Sequence, residues 1–263
     1  DELIQGLEFS KSNKMNIFFI GSGSNLLVSD QGINGMVISI KKSFRNFSIN
    51  NTRVFAETGT MLGRIVNSTI KEGLTGLESL VGVPGTLGGA LIMNAGAYGS
   101  EISNYLKTVE VVTKEGIIKK YQSDDMKFSY RNSNFSDEEI LISAEFELNK
   151  ANKEEINKKK IHANKGRRSS QPLKFRSAGS VFKNPKEGPA GYFIEKAGLK
   201  GLRSGNAEIS KKHANFFINY GDAKAEDVVK LILTAKKSVK KLFNINLELE
   251  IQTLGFKKGT FEL

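Results

Sequence analysis

Between Gly82 and Gly99 the chain reads GVPGTLGGALIMNAGAYG, and no other stretch restricts its fold as strongly. Gly82, Gly85, Gly88, Gly89, Gly96 and Gly99 are spread among small and apolar residues, with Pro84, Thr86, Asn94 and Tyr98 between them. A turn needs one or two glycines. This many suit a backbone wrapped around a flat or phosphate-bearing ligand, because a residue without Cβ lets main-chain N–H groups come close to an anion. A second loop, Gly21-Ser22-Gly23-Ser24-Asn25, directly follows the apolar run Ile17–Ile20. It lacks the Gly-Lys-Ser/Thr ending of a Walker loop, and no clear helix follows it as a dinucleotide fingerprint requires. Alone it reads as a tight turn between strands. Two such tracts in one chain favour a dinucleotide-type cofactor.

A third stretch, SAGSVFKNP from Ser177 to Pro185, surrounds Ser180 with residues of little bulk and leaves it within reach of a ligand. The other classes of chemistry are thinly supplied. The 263 residues contain no cysteine, which removes disulfides, thiolate metal sites and a cysteine nucleophile. Only His162 and His213 remain for a histidine metal site, so no metal is expected. The formal charge of +11 falls largely in lysine-rich runs such as NKKKIHANKGRR and KKSVKKLF, which read as solvated faces rather than a nucleic-acid surface. No apolar segment reaches the roughly 18–20 residues of a membrane span, and no signal peptide opens the chain. The expectation is a cytoplasmic protein with no membrane and no nucleic-acid partner.

Hydrophobic periodicity predicts an α+β architecture. Strands are expected at NIFFIG, NLLVSD, MVISI, RVFAETG, LKTVEVVT, GIIKKYQ, EEILISAEFEL, ANFFINYG and INLELEIQTLG. In the last of these Leu247, Leu249 and Ile251 would share one face and Glu248, Glu250 and Gln252 the other. Apolar spacing predicts a helix at TMLGRIVNSTIKEG, ended by Gly73, a short one at AGYFIEKAG, and a strongly amphipathic one at AKAEDVVKLILTAKKSVKKLF with Asp222 as its N-cap. The lysine-heavy helix NKEEINKKKIHANKGRR lies where a strand-rich half would meet a smaller mixed half, and is the candidate hinge.

The segments GSGSNLL, GVPGTLGGALIMNAGAYGSEI, YRNS, SAGSVFKNP and LELEI resemble, in this order, those of the UDP-N-acetylenolpyruvoylglucosamine reductase family. The resemblance runs from about Ile17 to Gly255 and is to the shorter branch, which lacks a substrate-capping insertion. It implies a PCMH/VAO-type FAD-binding domain of two α+β subdomains and a smaller α+β substrate-binding domain. Residues 1–168 would be the FAD-binding region, 169–254 the substrate domain, and 255–263 a segment returning to the FAD-binding region. Family members usually begin with a further strand bearing flavin contacts, so a segment preceding this sequence is expected. The implied reaction is NADPH-dependent, FAD-mediated reduction of UDP-N-acetylglucosamine enolpyruvate to UDP-N-acetylmuramate, by a monomer, in cytoplasmic peptidoglycan precursor synthesis.

By the same resemblance, Gly21, Ser22, Gly23, Ser24 and Asn25 would hold the pyrophosphate of non-covalent FAD. Pro84, Gly85, Thr86, Gly88, Gly89 and Ala90, with Asn94, Ala95, Gly96, Ala97 and Tyr98, would line the flavin and its ribityl–phosphate arm. Hydride addition to the enolpyruvyl double bond builds charge toward the carboxylate, which calls for an electrophile beside it and an acid for the α-carbon. Arg131 suits the first, being always charged and able to hold a carboxylate bidentately. Ser180 is matched to the second, although a serine donates only to a strongly basic centre and with its own alkoxide stabilised. Glu250 would assist carboxylate polarisation or proton delivery if kept protonated or hydrogen-bonded. Asn184 matches a substrate contact, while Arg167, Arg168, Gln171 and Lys174 are assigned to the UDP moiety from charge and proximity. Gln252 stands where the family usually has arginine. His213 lines the substrate domain or is a hydrogen-bonded structural histidine. Two alternatives stand beside this reading: another FAD oxidoreductase of the same fold, of the sugar or lactone oxidase type, and a non-catalytic anion- or nucleic-acid-binding protein.

Overall fold

The computed structural model describes residues 2–263, which fall into two compact units. The first comprises residues 2–22 and Gly35–Gly166, the second Gly23–Asn34 and Arg167–Leu263.

The first unit is organised around a five-stranded antiparallel sheet, in the order Ile118–Gln122, Leu106–Thr113, Glu139–Glu147, Arg53–Glu57 and Phe47–Asn50. Its central strands are apolar on both faces, as a sheet covered on both sides requires. Val54, Ala56, Val109, Val111, Ala144 and Phe146 belong to the larger core, and Val112 and Ile140 to a smaller one with Leu7. Leu7 comes from helix α1 (Glu2–Ser12), which the sequence pattern did not announce. Helix α2 (Leu62–Lys71) buries Leu62, Ile65, Val66 and Thr69 against the larger core at the spacing its pattern predicted, and Gly73 follows in the left-handed conformation. Within the long glycine tract lie a short helix α3 (Leu87–Ile92) and a hairpin of Gly96–Ala97 with Ser100–Glu101. Helix α4 (Lys153–Ser170) is the polar helix expected from its lysines, and the two units part between its Gly166 and Arg167.

In the second unit, α5 (Ala190–Lys196) and α6 (Ala225–Phe243) contribute Ile194, Ile232, Ala235 and Val239 to a core shared with Phe182, Ile209 and Leu247. Arg203–Ser204, Ala207–Ile209 and Phe217–Asn219 form its small antiparallel sheet. Leu26–Val28 runs parallel to Gln252–Leu254 and brings Leu27 to the same core. No helix among the described residues is long and apolar enough to cross a membrane.

Two local expectations are corrected. Asp222 does not cap α6. It sits in a turn at φ 53°, and the first free N–H groups, of Ala225 and Glu226, instead donate to the Asp30 carboxylate at 2.7 and 3.5 Å. The expected strand INLELEIQTLG is broken. Only Gln252–Leu254 is regular, because the N–H groups of both Glu250 and Ile251 point at the Val181 carbonyl (2.8 and 3.5 Å), two residues against one as in a bulge.

Candidate active site

In the first unit the glycine tract closes on the segment that precedes α2. Leu62 N–H donates to Gly85 O, Leu87 N–H to Thr60 O and Gly88 N–H to Thr58 O, at 2.8 to 3.0 Å. This short ladder holds Thr60 and Thr86 in the interior, each about 1% exposed. Neither hydroxyl has a hydrogen-bond partner among the described residues, and neither has the Oδ1 of fully buried Asn94. Gly21 lies against Thr86 so closely that a Cβ there would overlap Oγ1, so only glycine brings the backbone to that hydroxyl. Buried oxygens of this kind are rare in folded proteins and call for an explanation. Ligand N–H, hydroxyl and phosphate groups supply one. Glycine backbone, two unused hydroxyls and an unused amide oxygen therefore fit the phosphate and flavin groups of FAD, and this donor and acceptor set carries no charge of its own to oppose them.

Asn94 also ties the tract to the arginine. Its Nδ2 donates to Glu101 Oε2 (2.7 Å) and to Ser129 O (3.1 Å), next to the turn Tyr130-Arg131 between Phe128–Ser129 and Asn132–Ser133. Arg131 occupies that turn at φ 56°, an uncommon conformation for a side chain without a short polar group. Its Nη2 donates to Gly96 O at 3.1 Å and its guanidinium lies 5.0 Å from the Tyr130 ring centroid. Backbone strain of this kind is tolerated where the side chain's placement matters. Gly85, Gly88, Gly89, Ala90, Ala95 and Ala97 belong to the same tract, with Gly85, Gly88 and Ala90 buried and Gly89 exposed, and Pro84 exposed at its start. Ser22, in the Gly21–Asn25 loop, is half-buried where the first unit's opening segment ends.

In the second unit Ser180 lies on a strand-like segment flanked on both sides. Ser180 bridges Phe216, Val181 N–H donates to Asn215 O (2.8 Å), and Phe182 bridges Leu249. On that second side Glu250 N–H donates to Val181 O at 2.8 Å and Lys183 N–H to Glu248 O at 2.9 Å. The segment of Ser180 and that of Glu250 are thus hydrogen-bonded neighbours. Asn25 joins them: its Nδ2 donates to Glu250 O (3.1 Å) and its carbonyl accepts from Gln252 N–H (2.9 Å). Gly23 and Ser24 precede it in the same loop, Gly23 at φ 72°. Asn215, which no sequence signal singled out, is the clamp. Its buried side chain pairs with the Phe182 backbone through N–H to Oδ1 (3.0 Å) and Nδ2 to carbonyl (2.7 Å), as another strand residue would.

The remaining second-unit residues are more dispersed. Asn184 accepts from Ala190 N–H at 3.0 Å and so fixes the entry to α5. Arg167 donates to Gln171 Oε1 at 3.2 Å, the Arg168 carbonyl accepts from Lys212, and Lys174 is exposed on the loop beyond. His213 is structural in its contacts. Burial, then the nearby Lys200 charge, push its imidazole below 6.5, and the neutral ring accepts from Asn215 N–H at Nδ1 (3.2 Å) while packing on Phe216.

A family profile described as "UDP-N-acetylenolpyruvoylglucosamine reductase, C-terminal domain" matches residues 171–254, and one described as "FAD binding domain" matches residues 1–121. The UDP-N-acetylenolpyruvoylglucosamine reductase of Caldicellulosiruptor bescii is 47% identical over 97% of this chain and 82% of its own length. The chain belongs to this reductase family. The enzyme of the same name from Caldanaerobacter subterraneus is 44% identical over 98% of this chain and 85% of its own. Among solved structures, the UDP-N-acetylenolpyruvylglucosamine reductase (MurB) of Thermus caldophilus superposes with a TM-score of 0.82 at 35% identity, covering 94% of this chain and 89% of that one. The fold is accordingly the α+β FAD-binding fold of the PCMH/VAO type that the resemblance implied.

Proposed function

We propose that this reductase-family chain converts UDP-N-acetylglucosamine enolpyruvate to UDP-N-acetylmuramate, with NADPH as reductant and non-covalently held FAD as carrier. FAD, held by Gly21–Asn25 and the tract from Pro84 to Tyr98, would supply the hydride-transfer chemistry that links NADPH to the enolpyruvyl β-carbon. Arg131 holds the substrate carboxylate and so stabilises the charge that grows toward it. Ser180 gives its hydroxyl proton to the α-carbon, and Glu250 assists at the carboxylate or returns the proton. Asn184 contacts the substrate sugar or phosphate, and Arg167, Arg168, Gln171 and Lys174 serve the UDP end. By function, residues 1–168 form the FAD-binding region, 169–254 the substrate domain and 255–263 a returning segment. By compactness, residues 23–34 and 255–263 group with the second unit. We further propose that the chain works as a monomer in the cytoplasm, where the family's step of peptidoglycan synthesis takes place.

The observation that carries the acid assignment is the pairing of the Ser180 and Glu250 segments through Val181, with Asn25 of the glycine loop hydrogen-bonded to Glu250 and Gln252. Gln252 stands where the family usually has arginine, so a neutral amide takes the place of the charged group expected to contact the substrate anion. The test is to follow the flavin absorbance of the FAD-loaded protein. NADPH should bleach it and the enolpyruvyl substrate should restore it. Ser180→Ala should bleach at the normal rate and recover at least about a hundredfold more slowly, the usual weight of a lost general acid. Equal slowing of both steps would remove Ser180 from the acid role.

A further inference from the structure

Two residues in the first unit each oppose their local structure, and they meet. Tyr98 and Gly99 are the central pair of the hairpin Gly96–Ala97/Ser100–Glu101, with φ values of 52° and 81°. Positive φ at both central positions is the type I′ pattern, for which Asn-Gly is the favoured pair because asparagine tolerates the left-handed region. Tyrosine has no such tolerance. Gly166 lies inside α4, where glycine is the poorest helix residue after proline. A Cβ on Gly166 would overlap the Tyr98 hydroxyl and lie 3.1 Å from both Cε1 and Cζ. His162, one turn earlier on the same helix face, meets the Tyr98 ring edge-on with centroids 5.6 Å apart. The ring therefore rests in a notch that only a glycine leaves open.

The hairpin so held carries Gly96, whose carbonyl accepts from Arg131 Nη2, and Glu101, whose carboxylate accepts from Asn94 Nδ2. We propose that Tyr98 and Gly166 are a positioning pair: the ring, seated on α4, fixes the 96–101 hairpin and through Gly96 O the direction of the Arg131 guanidinium. Its kinetic side rests on the reading of Arg131 as the carboxylate-holding group. The seating itself does not.

A double-mutant cycle on the full chain tests both parts, with and without FAD. In an ordinary helix interior Gly166→Ala raises the melting temperature. Here it is expected to lower it by roughly 2–4 °C, because the methyl drives the ring from its notch. In a Tyr98→Asn background, where the turn has its preferred residue and the notch is empty, the same Gly166→Ala change is expected to raise the melting temperature. A rise in both backgrounds would overturn the seat. With FAD bound, Gly166→Ala is expected to slow recolouring by the enolpyruvyl substrate on the order of ten- to a hundredfold, the effect of a group misplaced by about an ångström, and to leave bleaching by NADPH unchanged. Equal slowing of both steps, or of neither, would overturn the link to Arg131. If the unmodified protein fails to bleach with NADPH, the reductase reading fails while the melting-temperature cycle still decides the seat.

Discussion

A buried hydroxyl without a partner destabilises a fold by about 1–3 kcal/mol, and Thr86 carries such a group beside Gly21. Nothing among the described residues repays that cost, so removing the hydroxyl while keeping the shape should stabilise the protein without FAD. Thr86→Val does this. Its melting temperature without FAD is expected to rise by a few degrees, at roughly 2–4 °C per kcal/mol, while FAD binding weakens about tenfold, the weight of one hydrogen bond to a charged or strongly polar acceptor. Calorimetry of the apoprotein and flavin titration read the two effects separately. A variant both less stable and unaltered in FAD affinity would show that the hydroxyl serves the fold. Arg131 presents the same trade in its backbone. A residue held at φ 56° and anchored on Gly96 O is strained in order to be aimed.

Helix α4 is fastened to the first unit by a carboxylate rather than by apolar area, since it buries only Ile156 and Ala163. Glu78, 3% exposed, accepts from Thr75 Oγ1 (2.6 Å), Gly76 N–H (2.5 Å) and Lys159 of α4 (3.2 Å). Burial by itself would raise the Glu78 carboxyl. The hydrogen bonds from Thr75, Gly76 and Lys159 outweigh it and hold the group below 4.5. A folded pKa below the unfolded one favours the folded state above the unfolded pKa, and the advantage is lost as pH falls through the folded value. Glu78→Gln should therefore cost about 2 kcal/mol at pH 7, as for a lost charged hydrogen bond, and the gap to the unmodified protein should close under acid. Because the Lys159 side chain is 63% exposed, Lys159→Met should cost less than about 1 kcal/mol. Urea unfolding across pH measures both, and a gap constant with pH would refute the linkage. Little of this was legible in the sequence, where Glu78 stands just before the glycine tract and the α4 lysines read as solvent. Periodicity found α2, α5, α6 and the central strands because their burial follows a repeat. It missed α1, where Phe9 is exposed and only Leu7 and Ser10 are buried, so that no clear apolar stripe forms, and α3, hidden among glycines. The glycine tracts, Arg131, Ser180 and Glu250 became candidates through the order of their motifs along the chain. Asn215 was not, because its clamp is made with a segment 33 residues away.

The second unit is discontinuous, and that sets how it must fold. Gly23–Asn34 is separated from Arg167–Leu263 by Gly35–Gly166, the sheet-bearing part of the first unit. Yet the short segment supplies Leu27 to the second core, a parallel partner for Gln252–Leu254, the Asn25 contact with Glu250, and the Asp30 cap on α6. Partly burying one leucine contributes about 1 kcal/mol, less than the roughly 1.5–3 kcal/mol of full burial, and an N-cap about 1 kcal/mol, together a sizeable share of the stability of a small domain. Residues 167–263 produced alone should therefore leave the edge of Gln252–Leu254 unpaired and unfold without a sharp transition. The same residues with 23–34 joined through a flexible linker should regain cooperative unfolding, and Asp30→Ala in that fusion should lower its midpoint by the value of the cap. Cooperative, equally stable unfolding of 167–263 without the segment would contradict this. The prediction concerns function as well as folding, because the segment that completes the second core is also the continuation of the glycine loop proposed to hold FAD. Ordering that loop and closing the core beside Ser180 and Glu250 are then one event, so FAD binding should protect the amides of residues 25–30 and 250–254 from hydrogen exchange together, and protection of only one set would separate them.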